Sequence, residues 1–258
     1  MNNNLNITLV QSNIFWKGKE KNFSHLNDLL EKIQKTDIIL LPEMFNTGFC
    51  PADTSLSESM NGKTVNWMKE LSKQNNCSVA GTLMIVENHK VFNRLVWVSV
   101  SGETLTYDKY HLFSLINEQR YISKGQERLI IDEQGWKICP LICYDLRFPV
   151  FCRNNVDYDI LIYLANWPVK RIDAWGSLLK ARSIENQCYT IGVNRVGEDG
   201  NGALFNGHSK VFDSFGKEII SATDNTEAVL QISLSLDDLK LKRRQMNFLQ
   251  DRDDFTLQ

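Results

Sequence analysis

Glu43, Lys109 and Cys143 each stand at or just beyond the end of a short apolar run. Ligands gather beyond the carboxyl ends of strands in α/β sheets, so we expect these three side chains in one cleft. A thiolate is a nucleophile, and a carboxylate can take the thiol proton and return it to a leaving amine. A fixed ammonium stabilises a tetrahedral oxyanion, by ~3 kcal/mol per donor in other enzymes. Together these groups suffice for acyl transfer from an amide.

The elements that would position these residues alternate between strands and helices. Apolar and β-branched runs predict strands over residues 7–11, 37–41, 78–86, 91–100, 103–107, 136–142, 160–164, 189–194, 211–212, 219–220 and 229–232. Helical spacing of apolar residues predicts helices over 23–33, 64–74 and 174–186, with a short one over 146–154 directly after Cys143. Hairpins, one of them at Ser101-Gly102, mixed with β-α units favour a single α/β domain over residues 1–258.

Composition excludes several classes of function. The 29 basic and 31 acidic residues leave a net charge of -2, which favours neither nucleic acid nor an anionic membrane as a partner. The longest apolar runs fall far short of the ~20 residues of a membrane span, and the polar start is unlike a secretory signal. The six cysteines include no C-x-x-C pair, and Cys139 and Cys143 would merely share a strand face. We therefore expect a cytoplasmic protein without disulfides or a metal site.

The sequence around the three residues resembles the nitrilase, or carbon–nitrogen hydrolase, superfamily. Its signature blocks are matched by Leu-Pro-Glu-Met at 41–44, Tyr-Asp-Lys at 107–109 and Cys-Tyr-Asp-Leu-Arg-Phe-Pro at 143–149. The blocks occur in the family's order, 66 residues (109−43) and 34 residues (143−109) apart. The likeness extends over roughly residues 5–235 and includes the segments 166–168, 181–186 and 194–197.

This resemblance implies a four-layer α-β-β-α sandwich that pairs as a homodimer and needs no cofactor. Within the superfamily the sequence is most similar to bacterial ω-amidases, on the segments 41–45, 108–113 and 165–168. That similarity implies hydrolysis of the terminal amide of 2-oxoglutaramate or 2-oxosuccinamate, through a cysteine thioester, to ammonia and a 2-oxo dicarboxylate. We also expect the C-terminal tail, residues 236–258, to pack on a partner subunit.

The resemblance also implies the catalytic roles. Cys143 would be the nucleophile, Glu43 the general base and then acid, and Lys109 the oxyanion donor together with the backbone N–H of Tyr144. Glu118, nine residues after the lysine (118−109), would be the second glutamate that many members carry. Asp145 and Arg147, by the same pattern, would order the turn at the nucleophile.

An anionic substrate calls for a cation that grips its carboxylate. Lys170 and Arg171 are the nearest candidates by sequence, with Arg195 as another, and a solvated loop pair is the alternative reading of the first two. The remaining candidate pocket residues are Phe45, Phe113, Tyr121, Asn166 and Trp167. Each aromatic could equally serve ordinary core packing.

Three alternatives remain open from the residues. A Cys–His hydrolase would use Cys143 with His111 or His208, and would leave Glu43 and Lys109 idle. A related enzyme could use the same triad on a nitrile, an N-carbamoyl amine or a short aliphatic amide. A catalytically silent scaffold is the third, although it would have no catalytic reason to keep all three residues. On the helix after residue 174, Arg182 can pair with Glu185, which could instead lie behind Lys109.

Overall fold

The computed structural model describes residues 3–255 and contains two six-stranded mixed sheets and a separate two-stranded hairpin. The strands are β1 (Asn4–Gln11), β2 (Ile38–Leu40), β3 (Ser78–Glu87), β4 (Lys90–Val98), β5 (Thr104–Asp108), β6 (Ile131–Glu133), β7 (Trp136–Ile142), β8 (Ile160–Ala165), β9 (Tyr189–Asn194), β10 (Val196–Glu198), β11 (Leu204–Asn206), β12 (Lys210–Phe212), β13 (Glu218–Ser221) and β14 (Ala228–Ser235). The α-helices are α1 (Lys19–Leu30), α2 (Lys63–Asn75), α3 (Pro149–Cys152), α4 (Ile172–Asn186) and α5 (Leu236–Gln245).

Each sheet has parallel strands at its centre and antiparallel strands at its edges. The first runs β14-β1-β2-β3-β4-β5, with β1, β2 and β3 parallel. The second runs β13-β12-β9-β8-β7-β6, with β7, β8 and β9 parallel. Parallel central strands are buried on both faces, which explains continuous apolar runs such as residues 160–164.

The layers follow from where the apolar side chains are buried. One cluster joins the inner faces of both sheets, as with Leu9 and Leu40 against Ile138 and Ile162. A second cluster packs α1 and α2 on the outer face of the first sheet. Helix α4 covers the second sheet so closely that a Cβ on Gly192 would lie 2.4 Å from a methyl of Leu179. The predicted four-layer α-β-β-α sandwich is therefore confirmed.

Local predictions differ from the structure mainly at the ends of elements. The turn at Ser101-Gly102 is present, with Gly102 at φ +83°. The predicted helix over 146–154 is wrong, because a 3₁₀ turn over Cys143–Arg147 comes first and Pro149 then starts the four-residue α3. The strands β6, β10 and β11 were not predicted, since each is short and contains a polar residue or a glycine in place of a continuous apolar run. Within residues 3–255 no helix has the length and apolar character that crossing a membrane requires.

The described part of the C-terminal tail packs on its own chain. Leu236 and Leu239 of α5 belong to the core between the sheets. Arg243 forms an ion pair of 2.8 Å with Asp159 and donates a hydrogen bond to the carbonyl of Gln187. These contacts fix the tail beside the N-terminal ends of β8 and β9, and packing on a partner subunit stays a prediction.

Candidate active site

Cys143 lies at a sharp turn where β7 ends. Its φ of 42° is in the left-handed region, which a residue with a side chain adopts at an energetic cost and which recurs at active sites. Asp145 holds the turn, because its Oδ2 accepts hydrogen bonds from the backbone N–H of Ile142 at 3.0 Å and from the Tyr107 hydroxyl at 2.7 Å. The turn aims the Cys143 side chain toward the carbonyl of Asn166, 3.9 Å from Sγ.

Lys109 lies between two buried glutamates. Its Nζ donates hydrogen bonds to Glu43 Oε1 at 3.0 Å and to the two Glu118 oxygens at 3.2 and 3.1 Å. All three side chains are fully buried. The structure thus brings together residues that are 66 and nine positions apart in the sequence (109−43 and 118−109). Glu118 is held from its other side by the backbone N–H of Phe113.

The protonation states follow from this burial and these charges. Burial alone would lower the pKa of Lys109, but Glu118 and Glu43 together raise it above its ordinary value, so Lys109 is an ammonium. Burial raises the pKa of Glu118, which Lys109 opposes. Burial and the nearby Glu43 charge raise the pKa of the Cys143 thiol well above its ordinary value, against the influence of Lys109. The resting nucleophile is therefore a thiol, and its proton must be removed during attack.

Glu43 is held rigidly at both carboxylate oxygens. Oε1 accepts from Lys109 and from the Asn93 side-chain amide at 2.9 Å, and Oε2 accepts from the backbone N–H of Asn166 at 2.9 Å. The next residue, Met44, has φ +44°, so the chain turns sharply directly after the carboxylate. Asn166 also donates its side-chain amide to the Glu43 carbonyl, which ties the ends of β2 and β8 together.

A cavity of about 190 Å³ opens above these residues. Lys109 and Cys143 belong to its lining, and Tyr144 follows the nucleophile there. The aromatic part of the wall consists of Phe49, Phe113, Tyr144, Trp167 and Phe205. Two guanidinium groups also line it, Arg147 at 5.0 Å from the Trp167 ring centre and Arg171 at 5.1 Å from that of Phe113. The polar side of the wall further includes Asp199 and Asn201.

Four of the predicted pocket residues line this cavity: Phe113, Asn166, Trp167 and Arg171. The side-chain Oδ1 of Asn166 is buried and has no hydrogen-bond partner among residues 3–255. An unpaired buried acceptor is costly, so a ligand that brings an N–H or O–H group into the cavity would gain from this atom.

Three predicted pocket residues lie elsewhere. Phe45 is 1% exposed and packs in the core under α2, with its ring 5.7 Å from that of Trp67. Tyr121 is 44% exposed and outside the cavity wall. Lys170 is exposed and borders a neighbouring surface groove. Proximity in sequence to Glu43 or to Trp167 was not enough to predict the direction of these side chains.

Arg195, the other candidate cation, is fully buried and faces the scaffold. Its guanidinium donates to the Asn13 side chain at 3.1 Å and to the carbonyl of Glu198 at 3.1 Å. Burial lowers its pKa to about 10. Arg195 also stacks on Phe205 at 4.7 Å, so it supports the hairpin β10–β11 that contributes Phe205 to the cavity.

Arg147, predicted to order the turn, instead lines the cavity, and sequence reasoning also missed Phe49, Phe205 and Asn93. Asp145 does order the turn, as predicted. Glu185 pairs with Arg182 at 2.9 Å and is partly exposed, so it does not lie behind Lys109. The position of Arg147, four residues after the nucleophile, was the one signal that could have pointed to the cavity.

The histidines have other partners than the nucleophile. His111 Nδ1 lies 2.8 Å from Asp145, and its ring stacks on Phe148. His208 pairs with Asp224 at 2.8 Å. Within residues 3–255 no histidine hydrogen-bonds to Cys143, and no three His, Cys, Asp or Glu side chains are grouped to hold a metal ion. This geometry does not support a Cys–His mechanism.

Comparison with known proteins shows the family of this chain. The model of the family "Carbon-nitrogen hydrolase" matches residues 6–244, so the chain belongs to the carbon–nitrogen hydrolase family. It is 39% identical to the omega-amidase YafV of Yersinia enterocolitica, over 98% of both chains. It is 31% identical to the 2-oxoglutaramate amidase of Bacillus subtilis, over 89% of this chain and 90% of the other.

A solved structure shares the fold in full. The CN-hydrolase superfamily protein XC1258 from Xanthomonas campestris superposes with a TM-score of 0.96 at 38% identity, over 99% of each chain, and carries an arsenic adduct in its active site. Family membership and the site together define the class of the protein. It is a hydrolase of carbon–nitrogen bonds in linear amides.

Proposed function

We propose that this chain hydrolyses the terminal amide of a 2-oxo dicarboxylate monoamide, 2-oxoglutaramate or 2-oxosuccinamate, to ammonia and the 2-oxo dicarboxylate. The observation that carries the proposal is the pair Arg147 and Arg171 in the wall of the cavity that holds Cys143. The names of the relatives, omega-amidase and 2-oxoglutaramate amidase, support the same substrate class.

The two arginines are available to bind an anion. Among residues 3–255, neither guanidinium forms an ion pair or donates a hydrogen bond to another side chain. Burial lowers the pKa of Arg171, and the neighbouring charge of Arg147 lowers it further. Two guanidinium groups that repel each other beside an apolar wall are stabilised when a carboxylate binds between them. A small amide with a carboxylate at its far end fits this arrangement.

The first half of the reaction forms a thioester. The Cys143 thiol passes its proton to Glu43 as Sγ attacks the amide carbon. The ammonium of Lys109 and the backbone N–H of Tyr144 stabilise the oxyanion that develops on the amide oxygen. When the carbon–nitrogen bond breaks, Glu43 returns the proton to the nitrogen, and ammonia leaves.

Water completes the cycle. Glu43 takes a proton from a water molecule as its oxygen attacks the thioester carbon, and the same oxyanion donors act again. Collapse of this intermediate breaks the carbon–sulfur bond, and the proton returns to Cys143. The products are ammonia and the dicarboxylate. Glu118 takes no part in proton transfer, and instead keeps Lys109 in place as an ammonium.

We propose further that the protein acts in the cytoplasm as a homodimer built from single-domain chains. All six cysteines are free, and five of them are buried, which favours a reducing compartment. Light scattering of the purified protein at several concentrations tests the dimer. A monomeric mass at micromolar concentration would contradict it.

A panel of substrates tests the proposed reaction. Ammonia release is measured from 2-oxoglutaramate, glutamine, an aliphatic nitrile and an N-carbamoyl amino acid, with Cys143→Ala as the blank. We expect fast release from 2-oxoglutaramate alone. Turnover of the nitrile or the carbamoyl compound instead would agree with the proposed roles of Glu43, Lys109 and Cys143. It would contradict the proposed substrate.

Arginine variants test the carboxylate site itself. We expect Arg147→Leu and Arg171→Leu each to raise KM for 2-oxoglutaramate roughly 10- to 100-fold, the usual value of a charge-assisted hydrogen bond. Both should leave the weak hydrolysis of the neutral pentanamide nearly unchanged. Lys170→Leu is the matched control, because it removes a neighbouring cation outside the cavity. Equal effects of all three variants would contradict the assignment.

A further inference from the structure

Asn93 contacts the three buried charged residues Glu43, Lys109 and Glu118. It lies on β4, and its side-chain Nδ2 donates to Glu43 Oε1 at 2.9 Å and, at 3.4 Å, to Glu118 Oε1. Its backbone carbonyl accepts the N–H of Lys109 at 3.0 Å. The side chain is fully buried, so these carboxylates are its partners in place of water. Asn93 lies outside the three sequence blocks around Glu43, Lys109 and Cys143.

A short relay of hydrogen bonds fixes which way the Asn93 amide points. The backbone N–H of Met44 can only donate, and it donates to Thr82 Oγ1 at 2.9 Å. The single hydroxyl proton of Thr82 is then donated to Asn93 Oδ1, also at 2.9 Å. The Asn93 oxygen is thereby assigned to the side away from the glutamates. A flipped amide would set this oxygen against two carboxylates.

The consequence for Glu43 is a difference between its two oxygens. Oε1 accepts two hydrogen bonds, from Lys109 and Asn93, which occupy both of its lone-pair directions. Oε2 accepts one, from the backbone N–H of Asn166, and keeps a free lone pair. A proton that arrives at the carboxylate therefore binds at Oε2.

We infer that Asn93 is a positioning residue of the reaction and that Thr82 holds its amide in place. Because Asn93 occupies Oε1 of Glu43, Oε2 is the atom that exchanges the proton with Cys143 and the leaving amine. The inference rests on Glu43 as the base of the proposed reaction, and it holds for any amide that the enzyme hydrolyses. Asn93 also supplies a neutral donor to both glutamates, so it offsets their excess negative charge without adding an ion to the buried site.

A pair of variants at Thr82 gives the sharpest test. Thr82→Val keeps the shape of the side chain but removes the hydroxyl, whereas Thr82→Ser keeps the hydroxyl and loses a methyl group. Without the hydroxyl the Asn93 oxygen loses its donor. The amide is then no longer held in place, so Glu43 loses the hydrogen bond from it. We expect Thr82→Val to lower kcat about 10- to 100-fold with KM nearly unchanged, as for a misplaced catalytic group, and Thr82→Ser to stay near wild type.

The pH profile distinguishes positioning from a loss of folding. The ionisable groups that face Glu43 are Lys109, Glu118 and Cys143. A carboxylate that loses a donor holds its proton more tightly, so the acidic limb of kcat/KM should move to higher pH in Thr82→Val. Asn93→Asp places a third carboxylate in the cluster and should move this limb further, by about one pH unit or more. Thermal unfolding of each variant is measured in parallel.

The outcomes separate this inference from the proposed substrate. The assay uses whichever amide the wild-type enzyme hydrolyses, so a wrong substrate assignment does not affect it. The relay is supported if Thr82→Val is folded, has a low kcat and has the acidic limb of its kcat/KM profile at higher pH. Thr82→Ser should restore both the rate and the profile. Equal activity of the two Thr82 variants, or an unmoved acidic limb in folded Asn93→Asp, would overturn it.

Discussion

The hydroxyl of Tyr107 donates a hydrogen bond of 2.7 Å to the carboxylate of Asp145, and both side chains are buried. Tyr107 lies two residues before Lys109 on the first sheet, and Asp145 lies two residues after Cys143, next to the second sheet. This one contact therefore joins the segment that carries the ammonium to the turn that carries the nucleophile. The distance between the two catalytic groups depends on it.

Removal of this hydroxyl should weaken both stability and catalysis. We expect Tyr107→Phe to lower the free energy of unfolding by about 1–3 kcal/mol, because a charged acceptor loses a buried donor. It should also reduce kcat more than it changes KM. Urea unfolding and steady-state kinetics measure the two effects. The control is Tyr163→Phe, which removes a buried hydroxyl that has no hydrogen-bond partner among residues 3–255, so little change is expected.

Replacement of Lys109 should separate its catalytic role from its structural one. Lys109→Met leaves Glu43 and Glu118 buried without their cation. We expect a loss of about 3–5 kcal/mol of stability and of at least ~10²-fold in kcat. The double variant Lys109→Met/Glu118→Gln should regain part of the stability and none of the activity. Recovery of activity in the double variant would contradict the role of Lys109 as oxyanion donor.

The reactivity of Cys143 should depend on the charge of Glu43. Burial and Glu43 raise the pKa of this thiol, so alkylation by iodoacetamide should be slow at neutral pH and accelerate as the pH rises. In Glu43→Gln the pKa should fall, because the negative neighbour is gone and Lys109 remains. We therefore expect the alkylation profile to move to lower pH while amide hydrolysis is lost.

The other cysteines should contribute little to the measured alkylation rate. Cys77 and Cys188 are buried, and burial raises the pKa of each to about 12, so they react slowly in the same range. Cys143→Ala provides the background rate. A profile that moves to higher pH in Glu43→Gln would contradict the arrangement of charges around the thiol.

Phe45 should behave as a core residue. Its ring is buried under α2, and a Cβ on Gly81 would lie 2.6 Å from it. We expect Phe45→Ala to lower the free energy of unfolding by about 3–5 kcal/mol. KM of the fraction that remains folded should be unchanged. For comparison, Phe113→Ala should raise KM with a smaller loss of stability, since Phe113 lines the cavity.

The sequence was sufficient to predict the layers of the fold and the buried charged cluster. The apolar runs and the strand-end residues indicated an α/β domain with Glu43, Lys109 and Cys143 in one cleft, which the ends of β2, β5 and β7 from the two sheets form. The resemblance to the carbon–nitrogen hydrolases implied the four layers and Glu118. The directions of neighbouring side chains were harder to predict. Met44, at positive φ, reverses the chain after Glu43, so that Phe45 enters the core while Phe49 lies 4.9 Å from the Lys109 ammonium.

Residues supplied from a distance could not be found in the same way. Asn93 lies 50 positions from Glu43 on a strand with no distinguishing pattern, and only the pairing of β3 with β4 places it beneath the cluster. Arg147 was assigned to the turn because the resemblance to the family implied that role. The sequence alone does not show that its guanidinium lies over Trp167 in the cavity wall, without an ion-pair partner among residues 3–255.

We propose that Cys143 forms the thioester with the 2-oxo acid, and mass spectrometry detects this intermediate directly. Wild-type enzyme is mixed with 2-oxoglutaramate, quenched in acid within milliseconds, and measured as intact protein and as peptides by mass spectrometry. We expect an added mass equal to the substrate less ammonia, located on the peptide that contains Cys143. The adduct should be absent from Cys143→Ala, which should also release no ammonia. Ammonia release by Cys143→Ala, or an adduct on another residue, would contradict this proposal.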